Sequence, residues 1–164
     1  MLKCRFTLRV AMIASSLFCL LSCTAQAGNK TSREQINEQL EAVIATVRTG
    51  ATTNIRDAAA EHLSDLTRQV PPSEIDHKTI ADIVSLLDLP IGRLWVASSL
   101  ANIGPPAKMA IPKLQGLLVV EDCLQLAGLS ASFAIRRALE RMGVTPPPFP
   151  VPCPKISSPP MSTE

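Results

Sequence analysis

The strongest constraint on this chain is that it repeats itself. Ile55-Arg56-Asp57-Ala58-Ala59-Ala60-Glu61-His62-Leu63-Ser64-Asp65-Leu66 aligns with Gly92-Arg93-Leu94-Trp95-Val96-Ala97-Ser98-Ser99-Leu100-Ala101-Asn102-Ile103 at an offset of 37. Residues 131–142 align with the second copy at an offset of 39, which sets Leu139 on Leu100 and Met142 on Ile103. A period near 40 with two helices per unit points to an α-solenoid. One helix pair cannot bury its apolar face alone, so about three stacked pairs are the practical minimum, and the chain holds about three.

Helical spacing of apolar residues supports this reading along the chain. Ser32 and Gln35 read as a capping box ahead of Ile36, Leu40, Val43, Ile44 and Val47, and Gly50 stops that helix. Further helices are expected over about 55–69, 75–87, 90–103, 112–119 and 130–142, punctuated by Pro71-Pro72, Pro105-Pro106 and Gly143. The fourth is apolar nearly all round, as a central element flanked on two sides should be. No segment alternates with period two over any length, so no sheet is expected. The fold class is therefore all-α, a short solenoid of about three antiparallel helix pairs over residues 32–143.

The residues around the second copy resemble the HEAT repeats, in particular the subgroup also found in phycobilisome lyases. That pattern is a hydrophobe, Arg, small residues, Leu, Ile-Gly-Pro, an Ala-Lys pair and a Pro opening the next helix. Here it reads Arg93, Val96-Ala97, Leu100, Ile103-Gly104-Pro105, Ala107-Lys108 and Ala110-Ile111-Pro112-Lys113-Leu114. The first copy departs from it at Thr67, which replaces the Gly. The last departs at Ser132, which replaces the Arg, and residues 123–129 are inserted before it. The resemblance implies a HEAT/armadillo-like packing and a concave row of inner helices for binding; it specifies no chemistry.

The N-terminus is an address. Residues 1–9 carry Lys3, Arg5 and Arg9 and no acid, and residues 10–21 form an apolar run broken only by Ser15 and Ser16. This is the charge-then-apolar pattern of a secretory signal, shorter than the roughly 20 apolar residues of a comfortable membrane span. Two cleavage sites compete. Ala25-Gln26-Ala27 suits ordinary signal peptidase, ending the signal at residue 27 and leaving a soluble periplasmic protein. Leu20-Leu21-Ser22-Cys23 resembles a bacterial lipobox, ending it at residue 22 and making Cys23 the lipidation site. The lipobox is the preferred reading. Thr24 in place of Asp then implies the outer membrane, facing the periplasm.

Removing the signal also changes the charge. Lys3, Arg5 and Arg9 are three of 16 basic residues; without them 13 face 14 acidic ones. A near-neutral domain gives no electrostatic reason to seek nucleic acid, and with 3% aromatics and no Tyr it offers no stacking platform. Residues 23–31 read as a linker. Eight of 14 prolines fall in 146–160, so residues 144–164 read as an extended tail. Of five cysteines, Cys4 and Cys19 leave with the signal and Cys23 takes lipid. Cys123 and Cys153 remain for an oxidising compartment, either as a disulfide pinning the tail or as two free thiols.

Candidate site residues lie on the repeated helices. Trp95, Ser98 and Asn102 line or border the narrow polar stripe of the fourth helix, where Trp95 is either a partner anchor or a core residue covering the next repeat. Arg56, Arg93, Arg137 and Arg141, with Arg136 among them, make a basic stripe or an ordinary solvated face interleaved with Glu61, Asp65 and Glu140. His62 falls on the apolar stripe of its helix, and a half-buried His is the expectation. His62 and His77 are the only histidines and no ligand spacing joins them to cysteines, so no metal site is expected. No nucleophile elbow, phosphate loop or His-Glu-x-x-His occurs, so no catalytic residue and no cofactor are expected. The functional expectation is a non-catalytic, lipid-tethered interaction module of the cell envelope, monomeric, binding an unidentified protein. The alternative is a periplasmic inhibitor or immunity protein against a secreted toxin or enzyme.

Overall fold

The computed structural model describes residues 31–125 and 130–149. The cleavage sites, Cys23, Cys153 and most of the proline-rich tail lie outside the described residues. The chain divides into two units, Met1–Gln35 and Ile36–Glu164. Of the first, residues 31–35 are described. Thr31 and Glu34 cap the helix there: the Thr31 N–H donates to the Glu34 carboxylate at 2.9 Å, and the Glu34 N–H donates to the Thr31 hydroxyl at 3.3 Å. The capping box is thus one residue earlier than Ser32 and Gln35. A full carboxylate in the first turn also complements the helix dipole, which an amide does not.

Among the described residues every regular element is helical. The α-helices are α1 (Ser32–Thr49), α2 (Thr53–Gln69), α3 (His77–Ser85), α4 (Arg93–Ile103), α5 (Ile111–Gln125) and α6 (Ser132–Arg141), with short 3-10 turns at Pro72–Glu74, Leu86–Asp88 and Pro105–Ala110. No described helix is long and apolar enough to cross a membrane. Side-chain caps explain where several helices begin. The Thr52 hydroxyl accepts the Ile55 N–H, so α2 starts two residues before the expected 55. The Asp76 carboxylate accepts the Thr79 N–H at 2.7 Å, so α3 starts at His77 and not at 75. Helix α5 runs past the expected 119 because Glu121 and Asp122 find partners described below.

Two glycines set the boundaries of α4. Gly92 precedes it with φ +71°, and Gly104 ends it with φ +68° and ψ −131°, conformations that an L side chain adopts only under strain. A Cβ on Gly92 would also lie 2.6 Å from the Ala60 Cβ, so the start of α4 can approach α2 only without a side chain.

Helix α4 packs against α2 and against α6, and α5 packs against α6. The three helices α2, α4 and α6 run in the same direction. Gly92 meets Ala60 near the start of α4, and the Asn102 amide near its end donates to the Ser64 carbonyl at 3.0 Å. On the other side, Arg93 and the Ala131 N–H share Glu121 at the starts of α4 and α6, while Gly104 approaches the Arg141 carbonyl at their ends. The matching repeat residues Leu63, Leu100 and Leu139 are each 0% exposed. Each such leucine contributes roughly 1.5–3 kcal/mol by leaving water.

Helices α1 and α3 touch at the same spacing. The Asn37 amide donates to the Glu74 carbonyl at 2.8 Å, Lys78 pairs with Glu41, and Arg48 donates to the Ser85 hydroxyl at 2.7 Å. Each of these contacts joins residues 37 apart, the offset of the first sequence repeat.

Candidate binding face

Covering α4 on two sides leaves it one narrow open stripe. Leu94 is 41% exposed, while Trp95 and Ser98 are half-buried. In the sequence repeat Leu94 aligns with Asp57 of α2 and Phe133 of α6, and Ser98 aligns with Glu61 and Arg137. Asp57, Glu61, Phe133, Arg137 and Arg141 are all exposed, and Phe133 reaches 73%. The open face of the three helices therefore carries an acidic ridge, an apolar ridge and an aromatic-basic ridge, in that order. Leu94 and Phe133 are thus exposed apolar side chains on adjoining helices, with Trp95 half-buried.

The structure divides the sequence-nominated residues into two groups. Trp95, Ser98, Arg137 and Arg141 come together on neighbouring helices. Trp95 is half-buried and packs against the core. Asn102 turns to α2, where its amide donates to the Ser64 carbonyl and, at 3.4 Å, to the Thr67 hydroxyl. Arg93 turns to α5, donating from Nη1 to Glu121 at 2.5 Å and from Nε to the Leu87 carbonyl at 3.3 Å. Arg56 is half-buried, with its Nε shielded from solvent and without a hydrogen-bond partner among the described residues. These three have their polar groups committed to, or hidden in, the packing. The expected basic stripe therefore shrinks to Arg137 and Arg141.

His62 is exposed, and not half-buried as its place on the apolar stripe suggested. Ala58, on the preceding turn of the same side, is exposed as well. The apolar stripe of α2 is wider than the surface α4 covers.

Sequence reasoning missed the junction that holds α4, α5 and α6 together. The Glu121 carboxylate accepts from Arg93 and from the Ala131 N–H at 2.8 Å, and the Glu121 carbonyl accepts from the Ser130 hydroxyl. Asp122 receives both Nε, at 3.1 Å, and Nη2, at 2.5 Å, of Arg136, a bidentate fork, and also the Ser132 hydroxyl. The side chains are 18% and 5% exposed for Arg93 and Glu121, and 16% and 2% for Arg136 and Asp122. At the start of α6, whose N-cap Ala131 has no capping side chain, the Glu121 carboxylate accepts the Ala131 N–H and the Ser130 hydroxyl accepts the Ser132 N–H. The remaining Arg136 Nη1 donates to the Pro147 carbonyl at 2.7 Å, and its guanidinium lies 4.0 Å over the Phe149 ring. The signal was present as two adjacent acids at the end of an otherwise apolar helix. Their partners lie 28 and 14 residues away, beyond any helical spacing.

Cys123, the next residue, is nearly buried and disulfide-bonded. The other half of that bond lies outside the described residues, as does Cys153, the partner considered for it. Compared with known proteins, the chain matches no protein-family model, no curated protein and no solved structure.

Proposed function

We propose that this chain is a non-catalytic protein-interaction module of the bacterial cell envelope, built as a short HEAT-like solenoid and tethered through lipid on Cys23. The observation that carries the interaction reading is the exposure of Leu94 and Phe133, with Trp95 half-buried, on the adjoining helices α4 and α6. The solenoid reading draws support from contacts that repeat at the sequence period: Asn37–Glu74, Glu41–Lys78 and Arg48–Ser85 are each 37 apart, and Ser64–Asn102 are 38 apart. In stacked repeats each unit touches the next at equivalent positions.

Affinity purification from envelope extract tests the function. Wild type is compared with Leu94→Asp and Trp95→Ala. The expectation is that Leu94→Asp loses the bound protein and that Trp95→Ala weakens it. Equal recovery by all three removes this face as the docking site. The anchor is tested separately: Cys23→Ala should move the protein from the membrane to the soluble fraction, and a variant still labelled by a radioactive fatty acid defeats the lipoprotein reading.

A further inference from the structure

We propose that the α2–α4–α6 face pairs with a second copy of itself about a twofold axis parallel to α4. This rests on the reading of that face as a docking surface and names its occupant.

Charge changes sign across the face. Asp57, Glu61 and Asp65 lie on α2, Leu94 and Trp95 on α4, and Phe133, Arg137 and Arg141 on α6. Arg68 is tied to Asp65 at 3.3 Å and leaves the α2 ridge net negative; Glu140 leaves the α6 ridge net positive. An isologous dimer brings each patch against its counterpart through a twofold. Two in-plane axes turn such a face onto itself. The axis across the helices sets α2 on α2 and α6 on α6, with Glu61 near its copy and Arg137 near its copy. The axis along α4 sets α2 on α6 of the other copy at the same height. The ridge of Glu61 and Asp65 then faces the ridge of Arg137 and Arg141, and Leu94 and Trp95 meet themselves at the centre. The helices run in the same direction, so the acidic ridge of one copy opposes the basic ridge of the other. Like charges directly opposed cost what unlike charges contribute, and the charge order therefore selects the axis while the apolar ridge supplies affinity.

The patch also sets the strength. Parallel helices about 9 Å apart and about ten residues long expose a strip roughly 20 Å by 15 Å. That is well under the roughly 800 Å² per partner of a standard interface, so the dimer is weak and fails at low concentration.

Sedimentation equilibrium of the purified protein, from about 10 µM to about 1 mM, is the test. Wild type should dimerise, more weakly at about 0.5 M than at about 0.05 M NaCl because screening shortens the reach of the ridges. Leu94→Asp should raise the dissociation constant at least about tenfold. Glu61→Arg and Arg137→Glu should each behave as monomers, yet an equimolar mixture of the two should form heterodimers, since both cross pairings regain opposite charges. A wild type that stays monomeric throughout, or a mixture that associates no better than either variant alone, overturns the pairing. If wild type is monomeric and Leu94→Asp still loses an envelope protein, only the self-pairing fails. If neither association exists, the docking face fails with it.

Discussion

Two junctions in this protein use the same chemistry in different solvent. Between α1 and α3, Arg48 pairs with Asp82 at 2.8 Å and Lys78 pairs with Glu41, and these side chains are 30–71% exposed. Between α4, α5 and α6, Arg93–Glu121 and Arg136–Asp122 are nearly closed to water. An exposed pair gains about 0–1 kcal/mol, because water already stabilises each charge. A buried pair contributes little net energy relative to apolar residues of the same shape, but losing one partner strands a charge in low dielectric. The first junction is adjustable, and the second is obligatory once its charges are in place.

The largest expected effect breaks the buried side of this comparison. Asp122→Ala leaves the Arg136 guanidinium without its carboxylate, and Glu121→Ala does the same to Arg93. Each should cost about 3–5 kcal/mol in urea unfolding. A loss under about 1 kcal/mol would show that water reaches the junction and that the contrast is false. Next, Gly92→Ala combines a strained φ with a 2.6 Å approach to Ala60, and should cost about 1–3 kcal/mol. A neutral result would mean that α4 can move off α2. Third, Asn102→Ala removes the bond to the Ser64 carbonyl and should cost about 0.5–1.5 kcal/mol.

The smallest effect is expected at the exposed junction. Arg48→Ala should change stability by less than about 1 kcal/mol, and salt should erase the difference. The pH dependence there has a defined sign. The hydrogen bond from Arg48 holds the Asp82 carboxyl below its ordinary range against the opposing effect of burial, with the Arg48 and Lys78 charges adding to it. Its contribution is therefore present above the unfolded-state value and lost as pH falls through the lower folded value. Lys78 is shifted up, chiefly by its hydrogen bond to Glu41 and then by the Glu41 charge, so its contribution is lost as pH rises through the folded value. Acid titration should weaken wild type more than Asp82→Asn, measured by the urea midpoint. Equal slopes would remove Asp82 from the comparison.

The helices were legible because their signals are local. Apolar spacing, Pro71-Pro72, Gly104 and Gly143 each act within a turn or two, and the capping box was misplaced by only one residue. The sequence repeat aligns Leu63, Leu100 and Leu139, and all three are buried. What escaped was any choice between equivalent partners. Arg93 and Arg137 look alike in sequence, as members of one basic stripe, yet one is closed into a pair with Glu121 and the other is exposed. His62 was misjudged for a related reason: periodicity shows which side of a helix is apolar, not how much of that side a neighbour covers.

Period and turn chemistry, both short-range, determined that this chain would be helical, where its helices would stop and which leucines would be buried. Tertiary structure alone decided which charges are buried. Burial depends on which helix lies on which, through pairings 14 to 38 residues apart. Sequence could nominate Glu121, Asp122, Arg93 and Arg136 as charges. Only the stacking of α4, α5 and α6 could take them out of water and leave Leu94, Phe133 and Arg137 in it.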